Sequence, residues 1–272
     1  SQYIIELGQK LHPKIMIMYT GTQVCSNEIS SEEAQRFGEA IGRKPLIWDN
    51  YPVNDGGMDV ELHLGPIRGR AKDLYKQVAG ILVNPMNQAE ASKIALATYA
   101  EYFSNPVEYD PADAWQSALI DVVGADYAED LLVIAENSMR SCLGTPEAEK
   151  LEQLTKKAII SIQNSSSPST DPDVMALEQY LHRIAEASYR IVNDCPNTAL
   201  RNELIPWLDK VESWVQVAKN VILALRVVEN GMDSQEIVRE IRHTLKAIYK
   251  NPKRIMGELL LPFAELVLEK TG

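Results

Sequence analysis

The stretch from Trp48 to Asp55 holds side chains that could do binding chemistry. An apolar run ends there, and an aromatic residue, amides and acids follow closely: Trp48, Asp49, Asn50, Asn54 and Asp55. A Trp ring offers a flat apolar face, whereas Asn and Asp offer hydrogen-bonding groups at fixed angles. These are the groups needed to hold a sugar ring. The alternative interpretation is a strand followed by an ordinary turn rich in Pro, Asn and Gly.

The elements around this stretch alternate between strands and helices. Apolar runs predict strands over 14–19, 44–50 and 80–85. Amphipathic spacing predicts helices over 1–11, 31–41, 71–78 and 88–103. Alternation of this kind predicts parallel strands joined by right-handed crossovers. Tyr19, Asn50 and Asn84 should then emerge at one edge of the sheet.

Two of these helices carry start signals. Ser30 and Glu33 form the pattern of a capping box, and Asn87 is a candidate N-cap with Glu90 at the third helical position. Both signals stand just before an amphipathic segment. They therefore predict where the helices after the first and third strands begin.

Strand patterns stop after residue 105. Helical patterns follow at 110–124, 127–139, 145–162, 171–191, 200–228 and 233–250. A last predicted helix comes after the break at Asn251-Pro252 and ends near Leu268. The serine-rich segment 164–170 predicts a linker or an exposed loop. The sequence thus divides into an α/β part, 1–105, and an all-helical bundle, 106–272.

Composition narrows the class of protein. The 272 residues carry a formal net charge of −11, which disfavours nucleic acid as a partner because binding phosphates needs a basic face. The three cysteines are far apart in sequence, so a disulfide framework or a zinc cluster is not expected, and buried or spare thiols are. Apolar runs are too short for a membrane span.

Familiar catalytic patterns are missing. The four histidines are scattered, and neither a serine nucleophile elbow nor a phosphate-binding glycine loop occurs. Hydrolysis of a glycosidic bond usually needs two carboxyl groups across that bond. Asp49 and Asp55 are the acids of the stretch, and Asp49 should point away if Trp48 and Asn50 face the site.

Four ordered motifs resemble glycoside hydrolase family 84, the β-N-acetylglucosaminidases that include O-GlcNAcase and bacterial enzymes once called hyaluronidases. The resemblance covers about residues 14–115. The first motif is Tyr-Thr-Gly, which starts at Tyr19, and the second is Pro-Leu-Ile-Trp-Asp-Asn-Tyr-Pro-Val-Asn-Asp, which starts at Pro45. The third is Leu-His-Leu-Gly-Pro from Leu62, and the fourth is Val-Asn-Pro-Met from Val83.

The resemblance implies a fold and a mechanism. The family's catalytic domain is a (β/α)8 barrel, so the three strands would be the last three βα units of a TIM barrel, followed by a helical bundle domain. The family retains configuration and uses the substrate's 2-acetamido oxygen as nucleophile, with two adjacent aspartates. No Asp-Asp pair occurs in these 272 residues, so we expect that pair upstream of residue 1.

The resemblance also assigns substrate-binding roles. Asp55 would bind the sugar's outer hydroxyls, Asn50 and Asn84 would hydrogen-bond the sugar, and Trp48 would form the aromatic wall. Tyr19 stands where the family usually has Trp. A further departure is Gly56, at a position that is often aromatic, which puts contacts to the aglycone in question.

The expected partner is a glycan or glycoprotein that bears N-acetylglucosamine, together with the missing amino-terminal half of the barrel. No cofactor or metal is implied, and the short chain alone is expected to be inactive. The family favours a secreted or cell-surface bacterial protein. The alternative function is a non-catalytic protein- or glycan-binding module, which a groove lined by exposed aromatic residues on the bundle would favour.

Overall fold

A computed structural model describes residues 2–271, which contain three strands and ten α-helices. The strands are β1 (Met18–Tyr19), β2 (Leu46–Asp49) and β3 (Gly80–Val83). The helices are α1 (Gln2–Lys10), α2 (Ser31–Ile41), α3 (Ala89–Ser104), α4 (Pro111–Val123), α5 (Ala125–Glu136), α6 (Glu149–Asn164), α7 (Pro172–Asn193), α8 (Thr198–Glu229), α9 (Gln235–Lys250) and α10 (Leu261–Thr271). Short 3-10 turns occur at Gly56–Met58, Leu74–Lys76 and Pro168–Thr170.

The strands form one parallel sheet in the order β1-β2-β3. Tyr19 pairs with Ile47, which in turn pairs with Ile81. The predicted parallel sheet and the predominance of helix are therefore confirmed. Because neighbouring residues of a strand point to opposite faces, these three side chains share one face, and Trp48 lies on the other.

The face that carries Ile47 is the buried one. Ile47 packs with residues from α2 and from the loops around the sheet: Ile29, Ala34, Leu74 and Val78. Tyr19 and Ile81 pack against this cluster. On the opposite face Met18 and Leu82 are exposed, at 52% and 43%. The sheet thus has a covered face and an open one.

The chain forms two compact units. The first comprises the chain up to Met58, His63–Val122 and Arg140–Thr145. The second comprises Asp59–Leu62, Val123–Met139 and the chain from Pro146 onward. The first unit contains the sheet. The second is built from helices, with α7 packed against α5, α6 and α8, and α8 against α9 and α10.

The predicted strand at 14–19 is shorter in the structure. Only Met18–Tyr19 is a strand, because residues 12–15 form a turn in which the Ile15 N–H donates to the His12 carbonyl at 2.9 Å. The guanidinium of Arg43 also donates hydrogen bonds to carbonyl groups in this region. Its partners are the carbonyls of Gly8, Leu11, His12 and Ile15, at 2.7–3.3 Å. The Ile15 carbonyl is therefore held by a side chain instead of a strand ladder.

Helix starts were predicted with mixed success. The Ser30 cap is confirmed, since its hydroxyl accepts from the Glu33 N–H. The Asn87 cap is wrong: the N-cap is Gln88, and the Asn87 N–H donates to the Asn54 side chain instead. The predicted helix at 71–78 is a single 3-10 turn, Leu74–Lys76.

The predicted helix start at Thr145 is also wrong, because α6 begins at Glu149. Glu147 is engaged elsewhere in the second unit. Its backbone carbonyl accepts from the Met139 N–H, and its carboxylate accepts from Arg254 and from the Gly257 N–H. These tertiary contacts hold the residues before α6 out of the helix.

The serine-rich segment 164–170 is not simply an exposed linker. Ser169 is only 4% exposed, and its N–H and hydroxyl both donate to the Glu229 carboxylate near the end of α8. The segment is therefore anchored to the helical unit.

Gly69 allows two loops of the first unit to approach closely. The Ile29 N–H donates to the Gly69 carbonyl at 2.8 Å, and the Ala71 N–H donates to the Ile29 carbonyl at 3.1 Å. Gly69 has φ +72°, and a Cβ there would overlap the Asn27 carbonyl oxygen. Glycine is therefore required both by the backbone angle and by the space.

We expect Gly69→Ala to lower the free energy of unfolding by about 2–4 kcal/mol, since a left-handed backbone angle and a steric overlap both oppose it. Gly42→Ala is the matched control, because Gly42 has φ +68° with open space around its Cβ position. That variant should cost only about 1 kcal/mol. Urea denaturation of both variants measures the difference, and equal losses would contradict the steric explanation.

Candidate functional site

The polar side chains at the ends of β2 and β3 meet in one cluster. The Trp48 indole N–H donates to the Asn50 side-chain oxygen at 2.8 Å. The Asn84 amide donates to the same oxygen at 3.0 Å. These contacts join adjacent parallel strands at their carboxyl ends. The structure thus brings together three of the five residues predicted to bind substrate.

Asn50 is the centre of this cluster. Its side-chain oxygen accepts both of those hydrogen bonds, and its amide nitrogen donates to the Val24 carbonyl at 2.7 Å. Its backbone carbonyl accepts from the Cys142 thiol at 3.7 Å. Two accepted bonds and one donated bond fix the orientation of the amide. Asn50 therefore connects both strand ends to the loop after β1.

Asp49 points away from the cluster, as the alternation along β2 predicts. It is paired with Arg70, whose Nε and guanidinium nitrogen lie 2.8 and 2.5 Å from the two carboxylate oxygens. Both side chains are 2% exposed. Arg70 also donates to the carbonyls of Ser26, Asn27 and Arg68. All five N–H groups of the guanidinium are thereby used.

Burial and this ion pair together shift the pKa values of neighbouring side chains. Burial, reinforced by the Asp49 carboxylate, raises the pKa of Tyr99 well above its usual value. Burial raises the pKa of Tyr102 to about 12. The hydrogen bonds and the charge of Asp49 outweigh burial and raise the pKa of Arg70. The two phenols stay protonated at neutral pH, so neither is poised as a general base.

The loop after β2 contains a buried amide, Asn54, followed directly by an exposed acid, Asp55. Asn54 is 1% exposed, donates to the Gln88 side chain and accepts from the Asn87 N–H. The Asn84 carbonyl accepts from the Val53 N–H at 2.9 Å. Asp55 comes next and is exposed. These contacts fix the loop residues just before Asp55, so the Asp55 side chain is exposed at a defined position after Asn50.

Tyr19 lies apart from the cluster. Its ring stacks on Phe37 with centroids 4.3 Å apart, and it packs against the buried face of the sheet. Residues 48, 50, 82 and 84 share the open face because they are two apart along their strands, whereas Tyr19 pairs with Ile47. The structure does not bring Tyr19 together with Trp48, Asn50 and Asn84.

Arg70 and Cys142 have positioning contacts that sequence reasoning did not assign. Arg70 lies four residues after the Leu-His-Leu-Gly-Pro motif, and a buried acid at the end of a strand indicates that a buried cation must be near. No pattern in the sequence indicated that Cys142 contacts Asn50, because 92 positions separate the two residues. Its contact with the site depends on the return of Arg140–Thr145 to the first unit.

The described part of the chain offers neither a metal-binding cluster nor a membrane-spanning helix. Across residues 2–271, histidine, cysteine and acidic side chains nowhere gather in groups of three that could hold a metal ion. Over the same residues, every helix is too short or too polar to cross a membrane.

Comparisons with known proteins agree with one another. A family model described as beta-N-acetylglucosaminidase matches residues 1–136. The Protein O-GlcNAcase of Rattus norvegicus and that of Mus musculus are each 37% identical to this chain over 105 residues, which are 39% of this chain and 11% of the relative. The chain thus spans a small part of the length of these relatives.

Solved structures extend the likeness to the helical unit. A mutant O-GlcNAc hydrolase of Thermobaculum terrenum is similar with a TM-score of 0.90 and 28% identity, over 100% of this chain and 58% of that chain. A protein named CpGH84B has a TM-score of 0.83 and 26% identity, over 98% of this chain and 47% of that chain. The chain spans about half the length of these two proteins.

We expect Asp49→Asn to lower the free energy of unfolding by about 3–5 kcal/mol, because it leaves the Arg70 charge buried without a counter-charge. Glu6→Gln is the control: Glu6 pairs with Lys10 on the surface, where the side chains are 45% and 76% exposed. That variant should be indistinguishable from the parent protein. Urea denaturation checks both, and an unchanged midpoint for Asp49→Asn would refute the structural role of the pair.

Proposed function

We propose that this chain, which belongs to the β-N-acetylglucosaminidase family known as glycoside hydrolase family 84, supplies the sugar-binding part of a β-N-acetylglucosaminidase active site. The substrate would be a glycan or glycoprotein with a terminal N-acetyl-β-D-glucosaminide. Hydrolysis would retain the configuration of the anomeric carbon. The observation that carries the proposal is the cluster of Trp48, Asn50 and Asn84 at the ends of two adjacent strands.

The cluster has the chemistry that a sugar needs. Asn50 fixes the Trp48 indole and the Asn84 amide in place. Asn84 uses one amide hydrogen in this bond, which leaves its second hydrogen and its carbonyl oxygen for hydroxyl groups. The Trp48 ring offers an apolar wall for the C–H groups of a pyranose. Rigid partners of this kind lose little conformational entropy on binding.

Asp55 adds a charged acceptor to the same region. It is exposed, and its charge acts on Cys25, which follows the residue held by Asn50. Hydrogen bonds to a carboxylate are roughly twice as strong as those between neutral groups. We therefore assign Asp55 to the outer hydroxyls of the sugar. Tyr19 is left out of this set, since it packs against Phe37 on the other face of the sheet.

The chemical step would rest on residues that are not among these 272. In substrate-assisted hydrolysis the 2-acetamido oxygen attacks the anomeric carbon as the leaving group departs, and water then opens the resulting oxazoline. One aspartate of an adjacent pair would orient the acetamido group, and the other would act as general acid and base. The chain has no such pair. Asp49 is no substitute, because Arg70 neutralises it in a buried site.

The same proposal covers the fold. We assign β1, β2 and β3 to the last three βα units of a (β/α)8 barrel within residues 1–105, with a helical bundle domain over 106–272. Among the described residues β1 and β3 each pair with one neighbour, so each has an open edge. Met18 and Leu82 are exposed on the face that carries Trp48. The remaining strands of a barrel would cover both features.

A non-catalytic binding module is the second candidate, and one observation favours it. A groove of about 490 Å³ lies between α7 and α8 in the helical unit. Tyr189, which lines it, is 65% exposed. A protein or glycan could bind there without any hydrolysis. A polypeptide that includes the upstream coding region but binds such partners without cleaving them would favour this candidate.

We expect this chain alone to leave an aryl N-acetyl-β-glucosaminide intact, because hydroxyl-binding groups cannot replace the missing aspartates. A polypeptide extended by the upstream coding region should release the aryl alcohol. Spectrophotometric assays of both polypeptides at equal concentration measure this. Hydrolysis by the short chain would mean that the acid and base lie within these 272 residues.

In the active longer polypeptide, we expect Asp55→Ala to lower kcat/KM by about 10–150-fold, since it removes hydrogen bonds to a charged group worth about 1.5–3 kcal/mol. Asp59→Ala is the matched control, because Asp59 is an exposed acid four positions away that the proposal gives no role. That control should keep its kcat/KM. Unchanged kinetics for Asp55→Ala would overturn its assignment.

A further inference from the structure

The segments that carry Cys25 and Cys142 both contact Asn50, although they are remote in sequence. The Cys142 thiol donates to the Asn50 backbone carbonyl at 3.7 Å. The Asn50 side chain donates to the carbonyl of Val24, the residue before Cys25, at 2.7 Å. Asn50 thus holds both cysteine-bearing segments. Each thiol is also near enough to act on the pKa of the other.

Both cysteines are reduced and partly accessible in the structure. Each is half-buried and free, and both segments belong to the first compact unit. Cys195 is different, because it is fully buried in the helical unit, and no other cysteine is among the groups that act on it. The chain thus contains one pair of adjacent thiols and one separate thiol for comparison.

We propose that Cys25 and Cys142 are a redox modification site, which a small disulfide such as oxidised glutathione converts into a Cys25–Cys142 disulfide bond. The bond would tie the loop after β1 to the Arg140–Thr145 segment at Asn50. This inference does not depend on the hydrolytic function. It adds a covalent state of the region next to the sugar-binding cluster.

The chemistry balances in two exchange steps. The Cys25 thiolate attacks one sulfur of oxidised glutathione, forms a mixed disulfide and releases one glutathione thiolate. The Cys142 thiolate then attacks the Cys25 sulfur and releases the second. The two protein thiols lose two electrons, and glutathione disulfide gains them. The protons of the two cysteines pass through solvent to the two released thiolates.

The surroundings decide which thiol reacts first and how fast. Burial raises the pKa of Cys142 to about 12, with Cys25 and Asp49 adding to this and Arg70 opposing it. Burial, Asp55 and Asp49 raise the pKa of Cys25, and the neighbouring Cys142 thiol opposes them. Cys25 is the less strongly shifted group and attacks first. Exchange should therefore be slow at pH 7 and faster at pH 9, because the thiolate is the reactive form.

The disulfide itself suits this environment. It carries no charge, so the burial and the nearby carboxylates that disfavour a thiolate do not penalise it. Bond formation removes the S–H donor from the Asn50 carbonyl but leaves the Asn50 side-chain contacts intact. The cross-link also restricts the unfolded chain, because it joins two distant segments.

The test is oxidation of the full chain with glutathione disulfide at pH 8.5, followed by alkylation of free thiols and peptide mapping without reductant. We expect a peptide pair joined through Cys25 and Cys142, lighter than the two free peptides by two hydrogen atoms, with Cys195 alkylated. The oxidised protein should melt about 5–10 °C higher than the reduced protein. Added dithiothreitol should reverse both changes.

Three variants make the result decisive. Cys195→Ser should cross-link like the parent protein, whereas Cys25→Ser and Cys142→Ser should each leave the remaining partner as a free thiol or a glutathione adduct. The proposal is overturned if Cys25 and Cys142 of the parent protein are both alkylated after oxidation. It is also overturned if glutathione stays on Cys25 without cross-linking, or if Cys195 is the residue that pairs.

Discussion

The ion pair between Asp49 and Arg70 is the constraint on which the first unit depends. A buried carboxylate is tolerated only when it is paired and hydrogen-bonded, and Arg70 meets that requirement while it also binds three loop carbonyls. Arg70 thereby joins the end of β2 to the loops that flank it. A lysine could not do this, because its single ammonium cannot span a carboxylate and three carbonyl groups in one plane.

The amide cluster is the second layer of the same organisation. Asp49 and Asn50 are neighbours, and strand geometry sends their side chains in opposite directions. Asp49 fixes the end of β2 through its buried pair with Arg70. Asn50 can therefore form hydrogen bonds with Trp48, Asn84 and Val24 on the open face. In the proposed sugar-binding surface, the internal ion pair would hold the strand end in place and the outward Asn50 amide would orient the binding side chains.

Local signals predicted local structure well and tertiary contacts poorly. The parallel sheet, the Ser30 cap and the start of α7 at Pro172 follow from residues within a few positions of each other. The predicted strand at 14–19 was too long because residues 12–15 form a turn, and Arg43, far along the chain, donates to the Ile15 carbonyl. The helix start at Thr145 was wrong because Glu147 binds Arg254 instead.

The sequence by itself determined the family, the alternation of strands and helices, and which polar residues stand at the strand ends. Those properties depend on residue type and short-range periodicity. Only the tertiary structure decided that Asn50 is the centre of the cluster and that Tyr19 turns to the buried face. It also decided that Arg70 pairs with Asp49 and that Asn50 contacts the segments of both Cys25 and Cys142. Each of these features depends on packing between segments that are distant in sequence. A buried polar group must form a hydrogen bond, and the fold determines which partner lies within reach.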